Sequence, residues 1–130
     1  MEPTARKTIN QYTRAQALRD KLLIDVSKTA KEIRIDFPIA VTSGVWERHV
    51  KVPEGVKDQE EARRLWDILW LFRAETLRTR PKMEGHSYVF KVHVRNDNEE
   101  GTPPIVTLRG FCGPGDRGEP VMTIFLLDEN

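Results

Sequence analysis

The stretch SYVFKVHVR, Ser87 to Arg95, decides the fold. Before it, apolar residues recur at helical spacing; from Ser87 onward they alternate. Tyr88, Phe90, Val92 and Val94 fall on one side and Lys91, His93 and Arg95 on the other, the pattern of a strand with one face buried. Working outward, NDNEEGT reads as a polar hairpin loop. PPIVTLRGFC returns as a second strand, with Thr107 and Arg109 opposed to Val106 and Leu108, and CGPGDRGEP (112–120) then leads into a third strand, PVMTIFLL. Three consecutive strands with short connections predict an antiparallel meander packed by one face on a helix.

That helix lies upstream. DQEEARRLWDILWLFRAETLRTR begins at an Asp58–Glu61 capping pair and runs to about Arg80, where Pro81 stops it. Ala62, Leu65, Trp66, Leu69, Phe72 and Leu77 form one broad face, and Ile68, Trp70 and Leu71 widen it beyond a single stripe, so the helix is either buried on two sides or pairs with another chain. Acids at its start (Asp58, Glu60, Glu61) and bases at its end (Arg73, Arg78, Arg80, Lys82) suit the helix dipole without any ligand.

The N-terminal half carries shorter signals. Thr13 and Gln16 make a capping box for a helix over 14–20 with Ala17 and Leu18 turned inward. LLIDVS (22–27) reads as a small strand or extended core segment, Ser27 as the N-cap of a helix bearing Ala30 and Ile33, and Ile39 to Thr42 as extended chain after the helix-blocking Pro38. Thr42 or Ser43 caps a further short helix, GVWERHV, ended by Pro53 and Gly55. Helices first and a sheet afterwards give an α+β class: short N-terminal helices and one long central helix on a C-terminal three-stranded meander, extended by up to two short N-terminal strands. The 130 residues form one domain, with 1–11 a loose arm.

Composition narrows the function classes. Lys and Arg number 21 against 20 Asp and Glu, so any electrostatic recognition must come from local clustering. A single cysteine and the absence of a charged-then-apolar leader predict a reduced, cytoplasmic protein. No apolar run approaches the roughly 20 residues of a membrane-spanning helix, which predicts no membrane partner.

The three histidines, His49, His86 and His93, and Cys112 lack the close spacings of zinc or haem sites, so neither a metal nor another cofactor is expected. No nucleophile elbow, phosphate-binding loop or dinucleotide fingerprint occurs. Cys112 could pair with His93 across strands as a nucleophile and base, but its place in the alternation with Leu108 favours a small buried hydrophobe. Enzymatic function is therefore not predicted.

Two surfaces and one loop remain. Lys91, His93, Arg95 and Arg109 form a basic sheet face, either a phosphate-contacting patch or an ordinary solvated face. Trp46, Trp66 and Trp70 are three indoles; Trp66 lies mid-stripe and suits the core, whereas Trp70 lies off the stripe and suits an interface anchor. In CGPGDRGEP the strands on either side require a bend, for which Gly113, Gly115 and Gly118 supply positive φ and Asp116 a local hydrogen bond. Arg117 is the residue a turn does not need, and glycine amides beside it could cradle an anion.

QYTRAQALRDKLLIDVS, PIAVTSGVWE, RRLWDILW and VTLRGFCGPGDRGEPVMTIFL together resemble a family of small uncharacterised proteins encoded by bacterial plasmids, phages and other mobile elements. The resemblance implies an accessory protein and carries no catalytic residue. The expectation is a non-enzymatic binding protein, such as an inhibitor of a host defence system that occupies a host protein or a nucleic acid. One alternative is a small-ligand or nucleotide-binding domain, with or without hydrolytic activity, in which Arg109, Asp116, Arg117 and His93 converge on the glycine loop. The other is a structural homodimer through the over-wide helix face.

Overall fold

The computed structural model describes residues 12–79 and 86–129. The arm at 1–11, the helix stop at Pro81 and the bases Arg80 and Lys82 lie outside them. Helix α1 (Arg14–Arg19) carries the expected capping box: Thr13 Oγ1 accepts from the Gln16 amide and Gln16 Oε1 from the Thr13 amide. Strand β1 (Leu23–Asp25) and helix α2 (Ser27–Glu32) follow. Ser27 is not the cap but the first residue of α2; its hydroxyl donates to the Ile39 carbonyl and accepts the Ile39 amide, tying α2 to β2 (Ile39–Thr42). Thr42 Oγ1 caps α3 (Ser43–Val45) through the Val45 amide, and the chain then widens into a π-helical turn, Trp46–Val50.

Helix α4 (Glu61–Thr79) starts beyond Asp58, which adopts a left-handed φ of 61° and stands outside the helix rather than capping it. Strands β3 (His86–His93), β4 (Ile105–Pro114) and β5 (Pro120–Leu126) complete the chain. They follow one another antiparallel as their periodicity predicts, but the meander is only part of a five-stranded sheet in the order β1-β2-β5-β4-β3. The short strands β1 and β2 pair antiparallel, and β2 lies parallel to β5, so the sheet is mixed. That parallel pairing joins Ile39 with Met122 and Val41 with Ile124, all apolar. Alternation along β5 alone cannot reveal it.

The register puts Tyr88, Gly110 and Ile124 in one row across the sheet and Phe90, Leu108 and Leu126 in the next. This inner face meets Leu65, Ile68, Leu69 and Phe72 of α4 in the main core, to which Ala30, Ile33, Val45 and Val50 also belong. Gly110 makes the closest approach: a Cβ there would collide with the Phe72 ring. Phe72 fills that notch while standing edge-on to Tyr88, with ring centroids 5.9 Å apart. On the opposite face α1 covers the β1–β2 end, where Ala17, Leu23 and Ala40 form a second cluster with Tyr12 packed against it.

Cys112 is buried, as its place in the alternation predicts. Burial pushes its thiol up to about 11, so it holds almost no thiolate at neutral pH. It faces His86 across the strands, whereas His93 pairs with Ile105 at the other end of β3, about 23 Å away by strand rise. Cys112 and His93 therefore form no catalytic pair.

Candidate functional site

Five of the seven residues singled out in the sequence fall in three separate places, and Lys91 and Arg109 lie along the sheet between two of them. Asp116 and Arg117 lie in the β4–β5 loop, at the Cys112 end of the sheet. His93 and Arg95 lie at the opposite end, by the β3–β4 loop, and Trp70 lies on α4. The proposed convergence of His93, Arg109, Asp116 and Arg117 on one loop does not occur. A ligand-sized pocket cannot span the length of β3.

At the glycine loop, the donors that an anion would need are engaged. The Gly115 amide donates to the Glu119 carbonyl (2.6 Å), the Gly118 amide to the Gly115 carbonyl (3.1 Å) and the Arg117 amide to Glu119 Oε1 (2.9 Å). Of the three glycines expected at positive φ, only Gly118 adopts it, at 83°. Gly113 and Gly115 serve close approaches instead, to the Phe111 ring and the Glu119 carboxylate. Asp116 reaches across to the start of α1, where its two carboxylate oxygens accept the Arg14 amide (2.7 Å) and the Ala15 amide (3.0 Å). With Thr13 on the third amide, the helix start is fully capped. The Arg14 guanidinium continues inward to Thr123 Oγ1 and the Met122 carbonyl, both at 2.8 Å. The motif is a clasp holding α1 against β5, and Arg117 is left exposed beside it.

The hydrogen bonds from Arg14 and Ala15 hold the Asp116 carboxyl below its usual range. A depressed carboxyl contributes stability above its unfolded pKa, near 4, and loses it as pH falls through the folded value. Thermal melts of Asp116→Asn against wild type should therefore differ at neutral pH and begin to converge only as pH falls below about 4. Arg117→Ala should melt within the noise at every pH, because no side-chain bond is removed.

The basic sheet face is also largely spent. Arg109 donates to the Glu129 carbonyl (2.7 Å) and lies 4.6 Å from the Phe125 ring centroid. Arg95 donates to Asp97 (2.7 Å) and the Gly101 carbonyl (2.6 Å) within the hairpin loop. Lys91 is exposed, and His93 Nδ1 donates to the Pro103 carbonyl at 2.8 Å.

His93 and Arg95 do line an open cleft of about 780 Å³ between β3, the π-helical turn and the first half of α4. Its wall is braced by Arg64, a buried cation that sequence reasoning passed over. Arg64 donates to the His49 carbonyl (3.0 Å), the Arg95 carbonyl (3.1 Å) and Asn96 Oδ1 (2.5 Å), while Asn96 returns a bond to the Arg48 carbonyl. Burial first, then the Arg64 and Arg48 charges, push the His49 pKa down and keep its imidazole neutral; its buried Nδ1 has no hydrogen-bond partner among the described residues. Asp67 is paired with Arg63 at 3.2 Å. No serine, threonine or cysteine lines the cleft, and no metal-holding cluster occurs among the described residues.

The third place is different in kind. Trp66 is 36% exposed, Trp70 45% and Leu77 47%. Trp66 was expected in the core, but Leu65, Ile68, Leu69 and Phe72 take the sheet-facing side, and one residue along a helix turns Trp66 about 100° away from Leu65. Trp66 and Trp70 stack with ring centroids 5.3 Å apart and planes 7° apart, and the Arg73 guanidinium lies 5.8 Å from the Trp70 ring. A neighbouring groove of about 260 Å³ is lined by Ile35, Phe37, Arg73 and Leu77.

The fold and these three places define an α+β domain on a five-stranded mixed sheet, whose most distinctive surface is an aromatic stripe on its long helix. The chain belongs to the family of unknown function DUF6573, whose family model matches residues 3–130. No curated protein and no solved structure matches it. No helix among the described residues is long and apolar enough to cross a membrane.

Proposed function

We propose that this chain is a non-catalytic binding protein that acts through protein–protein contact, with the outer stripe of α4 (Trp66, Trp70 and Leu77) as its contact surface. The observation that carries this reading is the exposed, mutually stacked indole pair. Stacking fixes both rings, so a partner meets a rigid apolar plate and little side-chain freedom is lost on contact. Leaving half of an indole in water forgoes about 2 kcal/mol of burial, for each of two rings. Tryptophan and arginine side by side are also the residue types most enriched at binding hot spots.

The other exposed apolar residues do not compete. Val89 (51%) and Ile105 (60%) sit four residues apart along the strand register, Val89 beside Lys91, Leu127 (55%) stands in the turn after β5, and singly exposed apolar side chains are ordinary. The mobile-element origin implied by the sequence resemblance, and an anti-defence role within it, would use this surface in the same way: occupying a host protein needs a contact plate and no active site.

The test is affinity capture from nuclease-treated lysate with wild type, Trp66→Ala/Trp70→Ala and Lys91→Glu. Wild type and Lys91→Glu should retain the same partner, whether another protein or an untagged copy of this chain, and the double alanine variant should lose it. Retention that is indifferent to the tryptophans, or lost on nuclease treatment, would point to another surface or to nucleic acid.

A further inference from the structure

We infer that the occupant of the α4 stripe is a second copy of this chain, packed antiparallel about a two-fold axis passing between positions 71 and 72; this rests on the stripe being a protein contact surface. Trp66, Trp70, Arg73 and Leu77 are spaced four, three and four residues apart, the spacing of a coiled-coil seam. Their order decides the direction of packing. In a parallel pair each residue meets its own copy, so Arg73 meets Arg73 and two guanidinium groups share a desolvated layer. In an antiparallel pair Trp66 meets Leu77 of the second copy and Trp70 meets Arg73 of the second copy. Every layer is then apolar on apolar or cation on indole.

The Arg73 group already lies over the Trp70 ring of its own chain, so it is placed at the seam where a second indole would meet it. The ends agree with this direction. Antiparallel packing opposes the two helix dipoles and lays Glu61, in the first turn of one helix, toward the last turn of the other, where Arg78 is held by Glu75 of its own chain. A different partner would have to supply an aromatic face for Arg73, an apolar plate for the indoles and the reversed charge order; this chain carries all three in the required sequence. Four half-exposed indoles and two leucines supply roughly 500–600 Å² of buried surface, so with the side chains flanking them the contact belongs to the small, reversible class of interfaces.

Light scattering and sedimentation equilibrium over about 1–200 μM read the result directly. The 15.0 kDa chain should shift from monomer to dimer across this range, and Trp70→Ala should weaken dimerisation at least about thirtyfold while leaving the far-ultraviolet circular dichroism unchanged. Direction is read by a short bis-maleimide on an equimolar mixture of Asp67→Cys and Ala74→Cys chains. Antiparallel packing brings these two flanking positions together and gives the mixed 67–74 product, and the buried Cys112 stays out of the reaction. Cross-links that join 67 to 67 or 74 to 74 overturn the antiparallel register. A wild-type chain that is monomeric throughout, yet captures another protein through Trp70, overturns the second copy alone. A dimer that survives both Trp66→Ala and Trp70→Ala overturns the contact surface with it.

Discussion

Gly110→Ala is expected to lose about 3 kcal/mol of stability, lowering the thermal midpoint by about 10 °C. The added methyl group would overlap the Cε1 edge of the Phe72 ring, which is fully buried and bounded by Tyr88 and Phe90, so the ring has nowhere to retreat. Gly110 is in an ordinary strand conformation, and the penalty comes from lost space alone. That origin makes the effect reversible: Phe72→Leu, itself destabilising by cavity formation, should cost markedly less in the Gly110→Ala background. A thermal or denaturant melt of the double-mutant cycle checks this, and additive effects would mean that Phe72 does not sit over Gly110.

Arg64→Met is expected to cost about 3 kcal/mol, even though it replaces a charged residue by an apolar one of similar length. Arg64 is 6% exposed, and its three donors satisfy two backbone carbonyls and the Asn96 side chain. Methionine would refill the volume and leave all three acceptors without their donor. The loss should concentrate at the π-helical turn and the β3–β4 hairpin, which Arg64 and Asn96 join. Hydrogen exchange should therefore quicken at Trp46–Val50 before it quickens in β4 or β5. Equal protection across the sheet and the turn would contradict the brace.

What was legible in the sequence is what local physics decides. The alternation in SYVFKVHVR places the right residues of β3 inside, and the Thr13–Gln16 box sets the start of α1. The burial of Cys112 follows from the same two-residue period. What was not legible depends on partners far along the chain. The parallel join of β2 to β5 brings together segments some eighty residues apart, and the run of buried residues in β5 is equally compatible with other neighbours. Asp116 caps a helix that begins about a hundred residues earlier, so the glycine loop resembled a ligand cradle when its acid was an internal clasp.

Arg64 shows the limit most clearly, because a charge between Arg63 and Leu65 reads as solvated until the facing carbonyls are placed. For Trp66 the composition pointed inward and the geometry outward. Only the direction of the sheet, seen from α4, separates the buried stripe of Leu65, Ile68, Leu69 and Phe72 from the exposed one. Trp70 was the indole whose off-stripe position already set it apart, and it is the most exposed of the three.

The central claim is that the stripe on α4, and not the sheet, is where this protein is contacted. Hydroxyl-radical footprinting at low and high protein concentration measures it residue by residue. Trp66, Trp70 and Leu77 should become protected as concentration rises, while Val89 and Ile105, equally apolar and more exposed, stay reactive. Protection at Val89 and Ile105 with Trp66 and Trp70 unchanged would contradict the account.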